Sequence, residues 1–471
     1  MSEPKHLAVI GAGPAGYAAA FRAADIGLKV TLVDAETNPG GVCLYRGCIP
    51  SKALLHVAKL VEEARSASDW GIGFSDPTID VEKLRAWKDG VITRLTGGLG
   101  GLAKSRKIEY IQGTATFIDA HTLNITRLDG ADQSLAFDSA IIATGSRPSV
   151  IPALLPNSSR VMDSTQALAL ESIPPTLLVI GGGYIGLELA TVYAALGSRV
   201  TVVEMLPALL TGADPDLVTV LAKRLSDRLE GILLETSVAE MSESDAGVTV
   251  RMEGKQAPDE EQVFDKILVS VGRQPNTEGL GLENTSVALD ENGFIATDDQ
   301  RRTAEPNVYA VGDVAGNPML AHKGSHEAHV AAEVIAGEKV RWDPRAIPAV
   351  VFTNPEIAWC GLTESEAKAS GAAYKAVTFP WAASGRAIAM DRSEGLTKLL
   401  FEPDSKRLLG VGLVGSGAGE LIAEGALAIE MSATAEDLAL TIHPHPTMSE
   451  TLMEAAELFL GRSDHFHRPG R

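Results

Sequence analysis

Cysteine is scarce in this chain of 471 residues, which contains three. So few cysteines exclude a disulfide framework, and two that lie close together are more typical of a catalytic or metal-binding pair. Long apolar runs are missing too, since none approaches the ~18 residues of a membrane span. No signal-peptide pattern precedes the first apolar run, Leu7–Ile10. We therefore expect a cytoplasmic protein with no membrane partner.

Basic residues are also in deficit. The 41 Lys and Arg residues face 61 Asp and Glu residues, which gives a formal net charge of −20. Such a charge repels nucleic acid and anionic membrane surfaces, so we expect neither as a partner. With ~150 residues per domain as a guide, the length predicts about three domains.

Two of the cysteines, Cys43 and Cys48, lie within the segment Gly40–Lys52. In an ideal helix their Cα atoms would be ~8–9 Å apart, whereas a disulfide needs less than ~7 Å. If they are bridged, the segment must be a distorted turn, which Gly47 and Pro50 permit. So small a ring stabilises little, and this favours a redox couple over a structural staple. Metal binding is the weaker alternative, because no second CxxC or histidine pair completes a tetrahedral set.

A glycine-rich loop follows the first apolar run. The order is strand, glycine turn, helix and second strand, with an acid 18 residues beyond the last glycine. The glycines allow a tight turn and let a pyrophosphate approach the helix N-terminus, while the acid accepts hydrogen bonds from a ribose hydroxyl. The pattern predicts a dinucleotide site built from Gly11, Gly13, Gly16 and Asp34.

The same pattern recurs 170 residues later. Two such sites in one chain predict electron transfer between two dinucleotides. An acid at the second ribose would bond a 2′-hydroxyl and repel a 2′-phosphate, which favours NAD over NADP. The residues of this second site are Gly181, Gly183, Gly186 and Glu204.

Three further positions suggest contacts with a cofactor. Lys52 would share a helix face with Cys48 in a helix predicted over Ser51–Glu63 and favour its thiolate; a solvated lysine is the alternative. An apolar strand stops abruptly at Gly145, which suits a backbone passing close to a ligand. Asp313 follows an alternating strand and could reach a cofactor hydroxyl or cap a turn.

Near the C-terminus the chain reads His443-Pro444-His445-Pro446-Thr447-Met448-Ser449-Glu450. Proline fixes φ, so each imidazole has a defined direction, as a general base requires. Thr447 and Glu450 fit a capping box, and that structural role alone would explain Glu450.

Together and in this order, the two glycine loops, the CxxxxC pair, the AVGD strand and the HPHPTxxE ending resemble the flavoprotein (class I pyridine nucleotide) disulfide oxidoreductase family. The resemblance extends over essentially the full length of the chain. It implies an α/β fold with two Rossmann-like dinucleotide-binding domains plus a C-terminal α+β dimerisation domain. The predicted boundaries are 1–150 for the FAD-binding domain, 151–276 for the NAD-binding domain, 277–347 for a central domain completing the FAD site, and 348–471 for the dimerisation domain.

The resemblance implies FAD at the first site and NAD at the second. It also implies a homodimer in which His445 and Glu450 act on Cys43 and Cys48 of the other chain. Glu188 matches a family residue near the flavin. The positions matching FAD contacts are Gly11, Gly13, Gly16, Asp34, Lys52, Ala115, Asp313 and Ala321, and those matching NAD contacts are Gly181, Gly183, Gly186, Glu204, Val238 and Gly272.

Within the family, the segments GCIPSKALL, PMLAHKGSHE and HxHPT are most similar to members that oxidise protein-bound dihydrolipoamide. This likeness implies a lipoyl-bearing protein of a 2-oxoacid dehydrogenase or glycine cleavage complex as partner. His445, oriented by Glu450, would take a proton from the dithiol, whose thiolate attacks Cys43. Cys48 would pass the electrons to FAD, which gives hydride to NAD.

The chain departs from the family pattern at a few positions. Tyr45 and Arg46 replace the usual Asn-Val between the cysteines, Asp34 stands where Glu is common, and Pro444 replaces Ala. Arg46 is expected to bias the site toward an anionic substrate. The alternatives are a related NAD(P)H-dependent reductase of another disulfide, a non-catalytic flavin-binding subunit, or a flavoprotein oxidase.

Overall fold

A computed structural model describes residues 4–155 and 157–466 of the chain. Its N-terminal part is a βαβ unit extended by antiparallel strands. The elements are β1 (His6–Ile10), α1 (Pro14–Asp25), β2 (Lys29–Asp34), α2 (Gly41–Arg46), α3 (Cys48–Ser66), α4 (Val81–Ser105), β3 (Glu109–Asp119), β4 (Thr122–Arg127), β5 (Asp132–Ala136), β6 (Ser139–Ile142) and β7 (Ser146–Pro148).

The centre of this unit is a parallel sheet in which β1 lies between β2 and β6. Leu7, Ala8 and Val9 are fully buried, because helices or loops cover both faces of a parallel sheet. The carboxyl ends of β1 and β2 therefore lie side by side, and the glycine loop after β1 lies next to Asp34 at the end of β2.

The second unit repeats this arrangement with β9 and β10 in the places of β1 and β2. Its parallel sheet has the order β11-β10-β9-β15-β8, and a three-stranded antiparallel sheet β12-β13-β14 lies beside it. The elements are β8 (Val161–Met162), α5 (Ser164–Ala169), β9 (Thr176–Ile180), α6 (Tyr184–Leu196), β10 (Arg199–Val203), α7 (Pro215–Ser226), β11 (Gly231–Leu233), β12 (Thr236–Ser244), β13 (Gly247–Gly254), β14 (Gln262–Phe264), β15 (Lys266–Val269) and β16 (Arg273–Pro275).

The strands that leave the two parallel sheets pair with each other. β7 and β16 form an antiparallel ribbon in which Ser146 lies opposite Pro275. Backbone hydrogen bonds extend the ribbon, from Asn276 to Gly145 at 2.9 Å and from Ser149 to Gly272 at 3.0 Å. The two units are thus joined at the points where the chain leaves β6 of the first sheet and β15 of the second.

The chain then returns to the first sheet. β17 (Val308–Ala310) pairs with β6 at the edge of that sheet, and the helix α8 (Ala321–Ala336) packs against α1. Short 3₁₀ helices cover Leu282–Asn284 and Gly312–Ala315. The first sheet therefore has the order β17-β6-β1-β2-β3-β4-β5.

The C-terminal unit is a five-stranded antiparallel sheet, β18-β19-β22-β21-β20, covered by helices. No helix in the described ranges combines the length and apolar character needed to cross a membrane. The elements are β18 (Ala349–Val351), β19 (Glu356–Gly361), α9 (Glu364–Ser370), β20 (Lys375–Pro380), a 3₁₀ helix Trp381–Ala383, α10 (Gly385–Ala389), β21 (Leu396–Phe401), β22 (Leu408–Gly415), α11 (Ala418–Glu430), α12 (Ala435–Leu440) and α13 (Glu450–Leu460).

Candidate active site

A cavity of about 590 Å³ opens at the carboxyl ends of the first sheet, with α6 of the second unit forming part of its wall. Its volume lies in the range of cofactor and ligand sites, ~300–1,000 Å³. Residues singled out from the sequence that line the cavity are Gly11, Gly13, Asp34, Cys43, Cys48, Lys52, Ala115, Gly145, Glu188, Asp313 and Ala321.

The segment that carries the two cysteines is broken at Gly47. α2 ends at Arg46 and α3 begins at Cys48, with Gly47 at φ −142° and ψ −112° between them. A Cβ atom at Gly47 would lie 2.9 Å from the carbonyl oxygen of Val42, so glycine is needed there. The helix is thus broken between the cysteines, as a disulfide would require, but both are free thiols in hydrogen-bond contact, so the bridge itself stays a prediction.

Helix α3 begins earlier than the sequence pattern predicts, at Cys48 rather than Ser51. Pro50 lies in its first turn, where the missing amide has no helical partner to lose. Cys48 thus occupies a helix N-terminus, which stabilises a thiolate. The hydrogen bond from Cys43 lowers the pKa of Cys48, burial opposes this in part, and the charge of Lys52 lowers it again. That same hydrogen bond and burial raise the pKa of Cys43.

Lys52 is held by a buried carboxylate. Its Nζ lies 3.0 and 2.8 Å from the two carboxylate oxygens of Glu188, which is 3% exposed. The amide of Phe352 donates to Glu188 at 3.0 Å, and the Phe352 ring centroid is 4.6 Å from the Lys52 ammonium. Lys52 and Glu188, which line the cavity beside Cys48, are therefore held in place by α3, α6 and, behind them, the C-terminal unit.

The two glycine loops carry the same hydrogen bonds. Asp34 accepts from the amide of Ala12 at 2.6 Å, and Glu204 accepts from the amide of Gly182 at 2.7 Å. The other oxygen of each acid accepts from the amide two residues further along the chain, at 2.9 and 2.8 Å. Each acid thus fixes its own loop, and burial raises the pKa of Asp34 although the Ala12 amide lowers it.

The glycines of the two loops fall into two kinds. At Gly16 and Gly186 a Cβ atom would come within 1.8 and 2.2 Å of the carbonyl oxygens of Gly11 and Gly181, so these glycines allow helix to pack on strand. At Gly183 no atom lies within 4 Å of an added Cβ. The N-termini of α1 and α6 also have no side-chain cap. Loops without side chains let a pyrophosphate come close to the backbone, and uncapped helix N-termini leave amide groups to bind it. Both features are suitable for two dinucleotides.

The residues of the second loop do not line the cavity of the first. Gly181, Gly183, Gly186 and Glu204 gather at the carboxyl ends of β9 and β10. Val238, in β12, is partly buried against the hydrophobic cluster beneath the three-stranded sheet, and Gly272 connects β15 to β16 with φ +123°.

Asp313 is tied to the ribbon between the units. The Ser146 hydroxyl donates to Asp313 at 2.5 Å, and Arg273 donates to the hydroxyl and carbonyl of Ser146 at 2.8 and 2.7 Å. Sequence reasoning missed Arg273, which also lines the cavity. The sequence did contain a signal for Arg273. The strands β6 and β15 are each followed by a glycine with an arginine close behind it.

A second feature missed from the sequence is a buried ion cluster around Glu327. This side chain is fully buried, lies 3.0 Å from Arg301 and 3.1 Å from Lys323, and accepts from the Gly312 amide at 2.8 Å. The cluster fixes the turn that carries Asp313. Its only sequence signal is the spacing of four between Lys323 and Glu327 on α8.

His445 and Glu450 form a dyad in the C-terminal unit. His445 Nδ1 lies 2.9 Å from one Glu450 oxygen, and the other oxygen accepts from the Thr447 amide at 2.8 Å. Only half of the predicted capping box is present: the Glu450 carboxylate accepts from the Thr447 amide, but α13 begins at Glu450 with Ser449 as its N-cap. The Thr447 hydroxyl donates instead to the carbonyl of Pro444.

The neighbouring His443 has a different environment. Its Nε2 lies 2.7 Å from Glu424 and its Nδ1 lies 2.8 Å from the carbonyl of Thr441. The hydrogen bond to Glu424 raises the pKa of His443, and acceptors at both ring nitrogens favour the imidazolium form. His445 contacts a carboxylate through Nδ1 and exposes 73% of its side chain, so Nε2 can act as a base.

One chain does not bring this dyad to the thiols. Among the described residues, those that line the cavity end at Gly324, and none comes from the C-terminal unit.

Comparisons with known proteins agree with this geometry. Residues 5–328 match the family described as pyridine nucleotide-disulphide oxidoreductase, and residues 347–456 match its dimerisation domain. The dihydrolipoyl dehydrogenase of Haemophilus influenzae is 51% identical over 97% of this chain and 95% of that protein. The dihydrolipoyl dehydrogenase of Vibrio cholerae is 50% identical with the same coverage.

Solved structures with a similar fold are also found. LpdA from Mycobacterium tuberculosis superposes with a TM-score of 0.90 and 28% identity over 97% of this chain and 99% of that one. The HOCl-induced flavoprotein disulfide reductase RclA from Escherichia coli gives a TM-score of 0.86 and 29% identity over 96% and 99%.

Proposed function

Because this chain belongs to the pyridine nucleotide-disulphide oxidoreductase family, we propose that it acts as the dihydrolipoyl dehydrogenases do, oxidising a dihydrolipoyl group with FAD and NAD as cofactors. The observation that carries the proposal is the cysteine pair in the wall of the cavity, with Cys48 at a helix N-terminus beside Lys52. Dihydrolipoyl dehydrogenases are about 50% identical to this chain over nearly its whole length. This similarity favours the proposed activity over reduction of another disulfide and over a non-catalytic subunit.

FAD, when bound, accepts two electrons from the dithiol pair and delivers them as hydride to NAD. The residues that would hold it line the cavity: the first glycine loop with Asp34 for the ADP half, and Lys52, Glu188 and Asp313 further in. The second loop with Glu204 would hold NAD. Val238 and Gly272 belong to this proposed NAD site as matching positions.

The thiol chemistry needs a base and two sulfurs. His445 Nε2 takes a proton from one substrate thiol, while Glu450 holds the ring and stabilises the imidazolium. In the oxidised enzyme, where Cys43 and Cys48 would be joined as a disulfide, the substrate thiolate attacks Cys43 Sγ, the Cys43–Cys48 bond breaks, and Cys48 leaves as a thiolate. The second substrate thiol then attacks the substrate sulfur of the mixed disulfide, which closes the substrate disulfide, and its proton passes to the Cys43 thiolate that is released.

The chain forms a homodimer through its dimerisation domain. The proposal adds that the dyad of one protomer serves the thiols of the other. It is supported by the cavity of a single chain, which has no lining from the C-terminal unit in the described residues. The dithiol substrate is proposed to be carried by a lipoyl-bearing protein in the cytoplasm, where thiols are kept reduced.

A substrate panel tests the activity. Purified protein should reduce NAD with dihydrolipoamide, and NADP should be a poor acceptor because Glu204 repels a 2′-phosphate. Turnover should be lost in Cys48→Ser, whereas Cys360→Ser, which removes a buried thiol of the C-terminal sheet, should retain it. Turnover of glutathione or coenzyme A disulfide without dihydrolipoamide oxidation would refute the assignment.

Hybrid dimers test the shared site. Cys48→Ser and His445→Gln homodimers are each expected to be inactive. Co-refolding them in equal amounts should restore about a quarter of the parent activity, because half of the dimers are mixed and each mixed dimer has one intact site. If the histidine served its own chain, the mixture would stay inactive.

A further inference from the structure

Arg46 lies between the two cysteines in sequence, and the thiol chemistry leaves it without a role. We propose that Arg46 binds the ADP half of FAD, with its guanidinium directed at the pyrophosphate, and that it does not recognise the thiol substrate. The inference rests on the proposed function, because it takes FAD as the occupant of the cavity.

The contacts of Arg46 lie on the side of the first glycine loop. Its guanidinium is paired with the carboxylate of Glu36, two residues beyond Asp34. All three side chains line the cavity. Burial raises the pKa of Asp34, and the charge of the Arg46 guanidinium opposes this rise. Lys52 and Glu188, by contrast, are the charged side chains that act on the Cys48 thiol.

The backbone around Arg46 is fixed against the glycine loop. The hydroxyl of Tyr45 donates to the carbonyl of Asn38 at 3.0 Å and accepts from its amide at 3.2 Å. The amide of Gly40 donates to the carbonyl of Ala12, the middle residue of that loop, at 2.8 Å. Tyr45 therefore links α2 to the loop that precedes it, and that loop is bonded to the first glycine loop. These contacts hold Arg46 beside the loop that would receive a pyrophosphate.

The positive charge of Arg46 suits it to bind the pyrophosphate. A pyrophosphate brings negative charge into a cavity whose lining already has more acids than bases. Lys52 is engaged by both oxygens of Glu188, and Arg273 by Ser146. A guanidinium has five N–H donors, so a single carboxylate partner leaves donors for phosphate oxygens. The acids of the lining are Asp34, Glu36, Glu188, Glu278 and Asp313, and the bases are Arg46, Lys52 and Arg273.

Flavin-free protein tests this assignment with FAD, ADP and riboflavin as probes, by calorimetry and flavin fluorescence. Arg46→Met should weaken FAD and ADP binding about 10- to 100-fold, the loss of a charge-assisted hydrogen bond. Riboflavin, which has no phosphate, should bind as it does to the parent. Glu36→Gln should retain or tighten FAD binding, since it releases the guanidinium toward the phosphate.

Arg106→Met is the matched control, because Arg106 forms an ion pair with Asp25 at 2.9 Å outside the cavity. It should leave FAD affinity unchanged. Equal weakening by Arg46→Met and Glu36→Gln would overturn the inference in favour of a structural ion pair. Unchanged FAD and ADP affinity in Arg46→Met would also overturn it.

A kinetic measurement separates cofactor binding from substrate recognition. With FAD saturating, the ratio of kcat/KM for anionic dihydrolipoate to that for neutral dihydrolipoamide should be the same in Arg46→Met and the parent. A loss specific to the anionic substrate would overturn the inference. Failure of the parent to bind FAD would instead defeat the proposed function, so the two failures are distinguishable.

Discussion

Replacing Lys52 with methionine should raise the pKa of Cys48. The two residues lie one turn apart on α3, which places their Cβ atoms about 6 Å apart. In the parent protein the ammonium lowers the pKa of the thiol, and the Glu188 carboxylate raises it. The substitution removes the first effect and leaves the second without its counter-charge.

The expected rise follows from these charges. One opposite charge within ~4–6 Å changes a pKa by about 1–3 pH units. The unpaired Glu188 acts in the same direction, so the variant should lie in the upper part of this range. Its thiol should be almost wholly protonated at neutral pH, and the protein should be less stable, because breaking a buried ion pair costs about 3–5 kcal/mol.

The assay is the rate of Cys48 alkylation by iodoacetamide as a function of pH. A Cys43→Ser background removes the competing thiol and keeps a hydroxyl donor near Cys48. In that background Glu188→Gln should lower the pKa of Cys48, because it removes the opposing charge and leaves Lys52 unneutralised. The double variant Lys52→Met, Glu188→Gln should return close to the parent value.

Two results would refute this reasoning. An unchanged pKa in Lys52→Met would mean that the helix N-terminus and the Cys43 donor control Cys48 by themselves. A double variant with the same pKa as Lys52→Met alone would mean that Glu188 acts on Lys52 but not on the thiol.

Three more predictions follow from other contacts. Glu424→Gln should lower the thermal unfolding midpoint near pH 6 but not near pH 9, because the folded pKa of His443 is raised and its ion pair is lost as pH rises through that value; an equal loss at both pH values would contradict this. Lys398→Met should lower the free energy of unfolding in a urea titration by up to about 3–5 kcal/mol, because the buried Asp214 carboxylate loses the counter-charge 3.1 Å away and keeps only its neutral hydrogen-bond donors; an unchanged midpoint would argue against it. Gly183→Ala should fold and retain FAD but raise the KM for NAD, because its Cβ enters the open space beside the second loop; unchanged KM would place NAD elsewhere.

Local patterns in the sequence were sufficient for the two glycine loops. Each depends on neighbours within about 25 residues: strand, turn, helix and the acid of the next strand. The shared hydrogen bonds from Ala12 to Asp34 and from Gly182 to Glu204 follow from that local order. The break at Gly47 also has a local signal, because a disulfide between Cys43 and Cys48 and a continuous helix are incompatible within six residues.

Contacts between units were not predictable in this way. The partners of Glu188 lie 136 residues before it and 164 residues after it in the chain. Arg273 reaches Ser146 across a ribbon that joins two sheets, and Glu327 pairs with Arg301, which lies outside its own helix. The local spacings around these residues do not show the long-range partners, because those contacts arise from how the units pack against one another.

The two histidines illustrate a different limit. His443 and His445 are both histidines followed by proline, so the sequence alone predicts either of them as the general base. Their difference comes from what each ring nitrogen contacts, and Glu424 on α11 occupies the nitrogen of His443 that would have been needed for catalysis. The raised pKa of His443 is therefore a sign of a structural ion pair.

The exposure of His445 gains its meaning from the homodimer. Under the proposed function His445 acts at the thiols of the other protomer, and its side chain is 73% exposed in one protomer. Ile442, three residues earlier, is 94% exposed, and Leu440, Met431 and Leu427 are also exposed on the same domain. Large exposed apolar side chains that lie together are typical of interfaces. Under the proposed shared site, dimerisation would bring His445 to the thiols of the other protomer, so a dissociated protomer should lack a working base.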